Sequence, residues 1–342
     1  MEGKIYFGRW IKICMELGKV NSKKVLKTFY IVKSILIKII KMLGKNTKLN
    51  RRNAIKKIAM GTTAITIPKI QNTNYLKKSK SLKGNIKQSV CQWCYSDVPL
   101  KKLAEESKKI GLVGIDLIGK EGWDTLKEYD LISTMCYGDL EGKSTRSLTN
   151  GWCDKRFHKD LISNYKRHIK QVSEAGWTNL ICFSGNRRGM SDDEGLKNCI
   201  NGLKQIVKIA EDYGVVLQME LLNSKISHPD YLCDNTKWGI KLCKSIDSEN
   251  FKLLYDIFHM QIMEGDIIDT IRKNYKYFGH FHTAGVPGRN EIDETQELFY
   301  PAIMEAIKET GFNGYVAQEF IPLDKTDFGM KSLIEAVITC DV

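Results

Sequence analysis

A chain of 342 residues is long enough to bury a full core, either as two domains or as one large domain with an appendage. Its formal charge of +13 is unevenly placed: residues 1–85 carry 21 Lys+Arg against 2 Asp+Glu, which leaves 32 against 38 for residues 86–342. The body is therefore mildly acidic and has no basic stripe interleaved with aromatic residues, which argues against a nucleic-acid partner.

Residues 1–85 read as a basic N-terminal extension and residues 86–342 as the folded body. Within the extension, residues 22–43 mix apolar residues with Lys too often for a spanning helix, which needs about 20 mainly apolar residues. A basic amphipathic helix on a membrane surface is physically allowed, and any membrane contact is expected through this extension only. Arg51 and Arg52, followed by the uncharged run Ile58 to Pro68, resemble a twin-arginine export signal over residues 50–68. Ala54 stands where such signals carry Phe, and no Ala-x-Ala cleavage site follows. If the address is used, the body is periplasmic or otherwise exported; otherwise it is cytoplasmic. Export signals sit near a start codon, so Met42 is an alternative start to Met1.

The body alternates. Apolar or β-rich runs at 86–95, 111–118, 130–138, 179–186, 215–222, 251–259, 278–285 and 314–322 are eight candidate strands. Helix-period segments separate most of them: one from Val98 stopping at Gly111, one from His158 to Gly176, one from Leu196 to Gly214, and a last one at KSLIEAVI. This count predicts an α/β fold, a (β/α)8 TIM barrel with a basic N-terminal extension. The third unit departs, because GDLEGKSTRSLTNGWCDKR is a long connection of the kind that carries function at a barrel mouth. Nine cysteines are scattered through apolar contexts of the body, where Cys acts as a small hydrophobe. Cys91-Gln-Trp-Cys94 is a CxxC inside the first strand without a second pair to complete a zinc site.

Four metal-binding residue types stand singly near the ends of four successive strands: Glu220, Asp256, His282 and Glu319, separated by 36, 26 and 37 residues. Such separations fit one strand plus one return helix, and a parallel barrel gathers the C-terminal ends of its strands around one mouth. The four are therefore expected to converge. Three carboxylates and one imidazole suit a hard divalent ion, with Mn, Mg or Co favoured over Zn.

The stretches ELLNS at 220–224, LLYDIFHMQIMEGD and HTAGVPGRNEID, with VAQEF near the end, resemble the hydroxypyruvate isomerase branch of the xylose isomerase-like TIM-barrel superfamily. The resemblance runs from residue 86 to about 322. It implies Glu220, Asp256, His282 and Glu319 as metal ligands, with Glu220 and Glu319 also moving protons. It further implies His259, three residues after Asp256, beside a substrate oxygen. The implied activity is that of an aldose-ketose type isomerase or epimerase acting on a small sugar or hydroxy-keto acid through an enediolate. Hydroxypyruvate isomerases carry Gln where this chain has His282, whereas the sugar epimerases carry His, so the resemblance leaves the substrate open. An exported member working on sugar derivatives or glycosides, or a non-catalytic sugar-binding barrel, are the alternatives. A homo-oligomer is equally open.

Arg289 follows a Gly- and Pro-rich turn, from which a guanidinium can reach back over the mouth to a carboxylate or a vicinal hydroxyl pair. Glu291, Glu297 and Asn223 are candidates for orienting the ligands. Trp93 and Tyr95 are candidates for an apolar wall. Asn186, Arg187 and Arg188 stand at the correct end of the fourth strand for sugar or anion contacts. His280, alternating with His282, is expected to point away from the barrel interior.

Overall fold

The computed structural model describes residues 82–137 and 148–342. The arginine pair, the amphipathic stretch and the first part of the long third connection lie outside the described residues. At residue 83 the backbone N–H donates to Asp341, and the Asn85 amide donates to the Val342 carbonyl, so the described chain begins against its own C-terminus.

Eight parallel strands follow: β1 (Lys87–Cys91), β2 (Gly114–Asp116), β3 (Ile132–Ser133), β4 (Asn179–Cys182), β5 (Val216–Glu220), β6 (Phe251–Asp256), β7 (Phe278–Thr283) and β8 (Tyr315–Gln318). Their order around the sheet is β3-β2-β1-β8-β7-β6-β5-β4, so each strand pairs with its sequence neighbour and β1 pairs with β8. The remaining seam, between β3 and β4, is closed by one residue. Cys136 donates its backbone N–H to the Asn179 carbonyl (2.9 Å) and accepts from the Ile181 N–H (3.1 Å). The protein is thus a (β/α)8 barrel.

Return helices cover the outside: α1 (Leu100–Ile110), α2 (Trp123–Glu128), α3 (His158–Glu174), α4 (Asp192–Asp212), α5 (Thr236–Ile246), α6 (Ile257–Met263), α7 (Ile267–Asn274), α8 (Tyr300–Glu309) and α9 (Met330–Thr339). Their boundaries have local causes. Helix α4 starts at Ser191, whose side chain accepts the Glu194 N–H, and Asp192, Asp193 and Glu194 favour the positive end of its dipole. Helix α1 stops where Gly111 turns left-handed (φ 96°) and returns its N–H to the Ser107 and Lys108 carbonyls. One face of α4 buries Leu196, Leu203 and Ile206 against the sheet, each contributing about 1.5–3 kcal/mol relative to exposure. Among the described residues no helix is long and apolar enough to cross a membrane.

Several strands are shorter than the sequence expectation; the first ends at Cys91, so Cys94 of the CxxC stands in a 3-10 turn (Gln92–Tyr95) and not in the strand. The sixth strand ends at Asp256 rather than continuing to residue 259, because the Asp256 carboxylate accepts the His259 N–H and so starts α6. His259 therefore sits in a helical first turn. The third strand shrinks to two residues, and Gly114 of β2 packs directly against it: a methyl group there would collide with the Ile132 carbonyl oxygen and crowd Thr134. Gly114→Ala is expected to destabilise the barrel by about 1–3 kcal/mol through this overpacking. Urea unfolding followed by circular dichroism measures it, and an unchanged midpoint would contradict the close approach.

Candidate active site

The parallel order places the ends of β5, β6, β7 and β8 side by side. The register sets Asp256 opposite His282, while Glu319, one residue beyond β8, donates its backbone N–H to the Thr283 carbonyl. Glu220, Asp256, His282 and Glu319 consequently converge, each offering one atom within 4.8 Å of the others, and all four are buried. His282 Nδ1 lies 2.7 Å from Glu319 Oε2, 3.2 Å from Glu220 Oε1 and 4.0 Å from Asp256 Oδ2. Nδ1 thus faces three carboxylates at once and is closest to Glu319. A buried ring nitrogen set among three buried carboxylates is a donor set that a divalent cation fits.

The other ring nitrogen is engaged. His282 Nε2 lies 3.0 Å from Asp116 Oδ2, and His280 Nε2 lies 2.7 Å from the same oxygen. Asp116 Oδ1 accepts from Ser89 Oγ (2.9 Å) and from the Thr134 hydroxyl. This corrects the expectation for His280. Residues two apart on a strand share a face, so His280 and His282 both point inward, onto one carboxylate. Burial opposes ionisation of Asp116, but the two imidazoles outweigh it and hold the carboxyl well below the usual range. Asp116 also ends β2, but it lies outside the run of successive strand ends that singled out the other four, and its role shows only through partners across the interior. Cys91, at the end of β1, is the remaining neighbour, its Sγ 3.9 Å from His282 Nε2. Burial raises its thiol pKa, and all nine cysteines of the described residues are buried and free.

Arg289 reaches back over the cluster. Its turn is fixed by backbone bonds from Arg289 N–H to Gly285 and from Ile321 N–H to Arg289, and the residue takes a left-handed φ of 59°. Such a conformation costs on the order of 1–3 kcal/mol and persists where the surroundings over-determine it. The Nη2 group pairs with Asp256 Oδ2 (3.0 Å) and with Glu319 Oε2, while the guanidinium lies 4.9 Å from the Phe258 ring centroid and 5.4 Å from that of Trp93. Trp93 Nε1 donates to Glu319 Oε1 (2.7 Å). Burial would raise the Glu319 carboxyl, but Arg289 and His282 hold it well below its ordinary value. Burial dominates at the other two: Asp256 is pushed up to about 7 and Glu220 is raised.

His259 is fully buried and kept neutral by that burial and by the Arg289 charge. Its Nε2 accepts from Arg289 Nη1 (2.6 Å), a group that can only donate, and its Nδ1 lies 2.6 Å from the Asn223 side-chain amide. Asn223 is held in place by accepting the Ile226 and Ser227 N–H groups.

Above the cluster opens a cavity of about 1260 Å³ whose lining includes Glu220, Glu319, His259 and Arg289. Trp93 lines it, whereas Tyr95 is buried against Phe320 instead. His228 also lines it, its ring 5.2 Å from that of His259, and no sequence signal had singled it out. Several weaker candidates stand elsewhere. Arg187 pairs with Asp192 and Arg188 with Asp154, so neither is directed to the cavity, and Asn186 bridges to the Tyr231 backbone. Glu291 accepts the Leu323 and Asp324 N–H groups, bracing the loop after β8, and Glu297 accepts from Gln261.

The model of the "Xylose isomerase-like TIM barrel" family matches residues 121–336. The chain belongs to that family. Within this xylose isomerase-like barrel, segments match a putative hydroxypyruvate isomerase of Danio rerio (29% identical over 134 residues, 39% of this chain and 49% of the relative). They also match a D-psicose 3-epimerase of Ruminiclostridium cellulolyticum (34% over 171 residues, 48% of this chain and 54% of the relative). The chain thus spans about half the length of these relatives. Among solved structures, a family 2 AP endonuclease from Brucella melitensis superimposes with a TM-score of 0.65 at 20% identity, covering 72% of this chain and 97% of that one. At that identity the likeness shows the fold alone.

Asp116→Asn removes the charge that two buried imidazoles share. It is expected to cost about 3–5 kcal/mol of stability, the usual result of breaking a buried ionic group. Thermal unfolding at neutral pH tests this, with Ser89→Ala as a milder comparison.

Proposed function

We propose that this barrel is a metal-dependent isomerase or epimerase of a sugar or hydroxy-keto acid. The observation that carries the reading is the convergence of Glu220, Asp256 and Glu319 on one buried ring nitrogen of His282, beside a cavity that Glu220 and Glu319 line. The names of the matched relatives, an isomerase and an epimerase, support the same class. Three carboxylates and one imidazole fit Mn, Mg or Co better than Zn. When bound, the ion supplies charge stabilisation to the oxygens of a substrate's carbonyl and neighbouring hydroxyl.

The chain's own groups supply the rest. Shifting a carbonyl along a hydroxy-ketone requires removing a carbon-bound proton and returning it at the adjacent atom. Glu220 and Glu319 come from non-adjacent strands, β5 and the end of β8, and both line the cavity, so they are placed to exchange protons with a planar enediolate between them. The Arg289 guanidinium, positioned by His259 Nε2, presents donors toward the same space, where a developing oxyanion is stabilised. Trp93 and Arg289 hold Glu319 in one orientation, which limits the reorganisation needed during proton transfer.

Glu220→Gln and Glu319→Gln are expected to lower turnover by about 10²–10⁴-fold, more than they lower metal content. Chelated protein refilled with Mn, Mg or Co, then assayed by solvent deuterium incorporation into hydroxypyruvate and free ketoses, measures both. Full activity in both variants would remove the acid/base assignment.

A second expectation concerns pH. In the ion-free cluster Asp256 is protonated below about 7, and His282 stays protonated above its ordinary range because the Glu319 and Asp116 carboxylates overcome its burial. A cation must displace those protons, so Mn affinity is expected to rise with pH over roughly pH 6–8, up to about tenfold per unit for each proton released. Calorimetry at several pH values measures it; a flat affinity would count against ligation by these two groups.

A further inference from the structure

The metal-centred reading leaves the size of the substrate open, and the cavity speaks to it. A three-carbon hydroxy-keto acid needs on the order of 200 Å³ if each of its non-hydrogen atoms takes the room of a water molecule, and a hexose somewhat under twice that. The cavity holds about 1260 Å³ and exceeds the usual range of about 300–1,000 Å³ for sites that enclose drug-sized ligands.

Its chemistry is divided. Glu220, Glu319, His259 and Arg289 supply polar groups beside the buried cluster. The loops after other strands contribute apolar side chains: Leu148 after β3, Phe183 after β4, Ile226 after β5, and Phe258 and Ile262 on α6. Ile226 is 70% exposed, a large aliphatic residue held at a barrel mouth where a polar one would cost nothing. A free sugar can stack a C–H face on Phe183 or Phe258 but leaves the aliphatic Leu148, Ile226 and Ile262 unused, whereas a ligand with an apolar end beside its polar one covers them as well.

We infer that the substrate is a sugar that places a hydroxy-carbonyl pair among Glu220, Glu319, His259 and Arg289 and an apolar substituent, aryl or alkyl, against Phe183, Ile226, Phe258 and Ile262. This rests on the isomerase reading for the polar end only. The apolar end stands on the cavity itself.

The test compares D-fructose with its benzyl ether at the terminal hydroxyl, two probes with the same hydroxy-carbonyl end. Binding to the Mn-loaded protein is measured by calorimetry, and deuterium exchange is followed in parallel. The ether is expected to bind about thirtyfold or more tightly than fructose, about 2 kcal/mol. In Ile226→Asp and Ile262→Asp, both at partly exposed positions, that ratio is expected to collapse toward one. Equal or weaker binding of the ether, or a preference that survives both substitutions, would overturn the inference. Exchange in both probes without a preference leaves the isomerase reading standing and removes this one. A preference without exchange in either probe does the reverse.

Discussion

The arrangement of the barrel interior depends on one imidazole with two unlike sides. His282 Nε2 faces Asp116, a carboxylate kept ionised inside the barrel, and Nδ1 faces three more carboxylates at the mouth. Burying that much negative charge is costly unless cations or hydrogen bonds compensate it. Arg289, drawn across the mouth from a left-handed turn, compensates part, and Trp93 and the Asn223 loop fix the geometry of what remains. The strands themselves do little chemistry. Their parallel closure makes it possible for residues far apart in sequence to share one space of a few ångströms.

Much of this was legible in the chain. Glu220, Asp256, His282 and Glu319 were readable because each ends a strand, and a parallel barrel brings successive strand ends together whatever the loops do. The eight strands were readable because parallel strands covered on both sides appear as short apolar runs, as in NLIC of β4. The glycine stops held for the same local reason, since Gly111, Gly176 and Gly214 all take the left-handed conformation.

What was not legible depended on partners across the barrel. Asp116 gains meaning only when β2 sits opposite β7, a relation that no spacing rule encodes. His280 was misjudged by a parity error, and its true partner again lies across the interior. His228 belongs to a loop whose path is set by Asn223 and Tyr231 rather than by periodicity. Arg187 and Arg188 were plausible sugar contacts by position, but nearby carboxylates claim them. The end of β6 was missed because Asp256 serves both as a strand-end carboxylate and as the cap of α6, and an apolar run that continues as IFHM conceals the change from strand to helix.

That double duty of Asp256 has a consequence for which ion the pocket would prefer. Its Oδ1 accepts the His259 amide and Glu319 Oε1 the Trp93 indole, so each carboxylate has one oxygen for an ion, and that oxygen is shared with Arg289 Nη2. Calcium, which commonly gathers six to eight oxygens and grips carboxylates through both, would find the site under-supplied. A smaller ion that accepts monodentate donors and keeps coordination positions for solvent or substrate would not. Such a preference would rest on hydrogen bonds made by the carboxylate oxygens turned away from the ion.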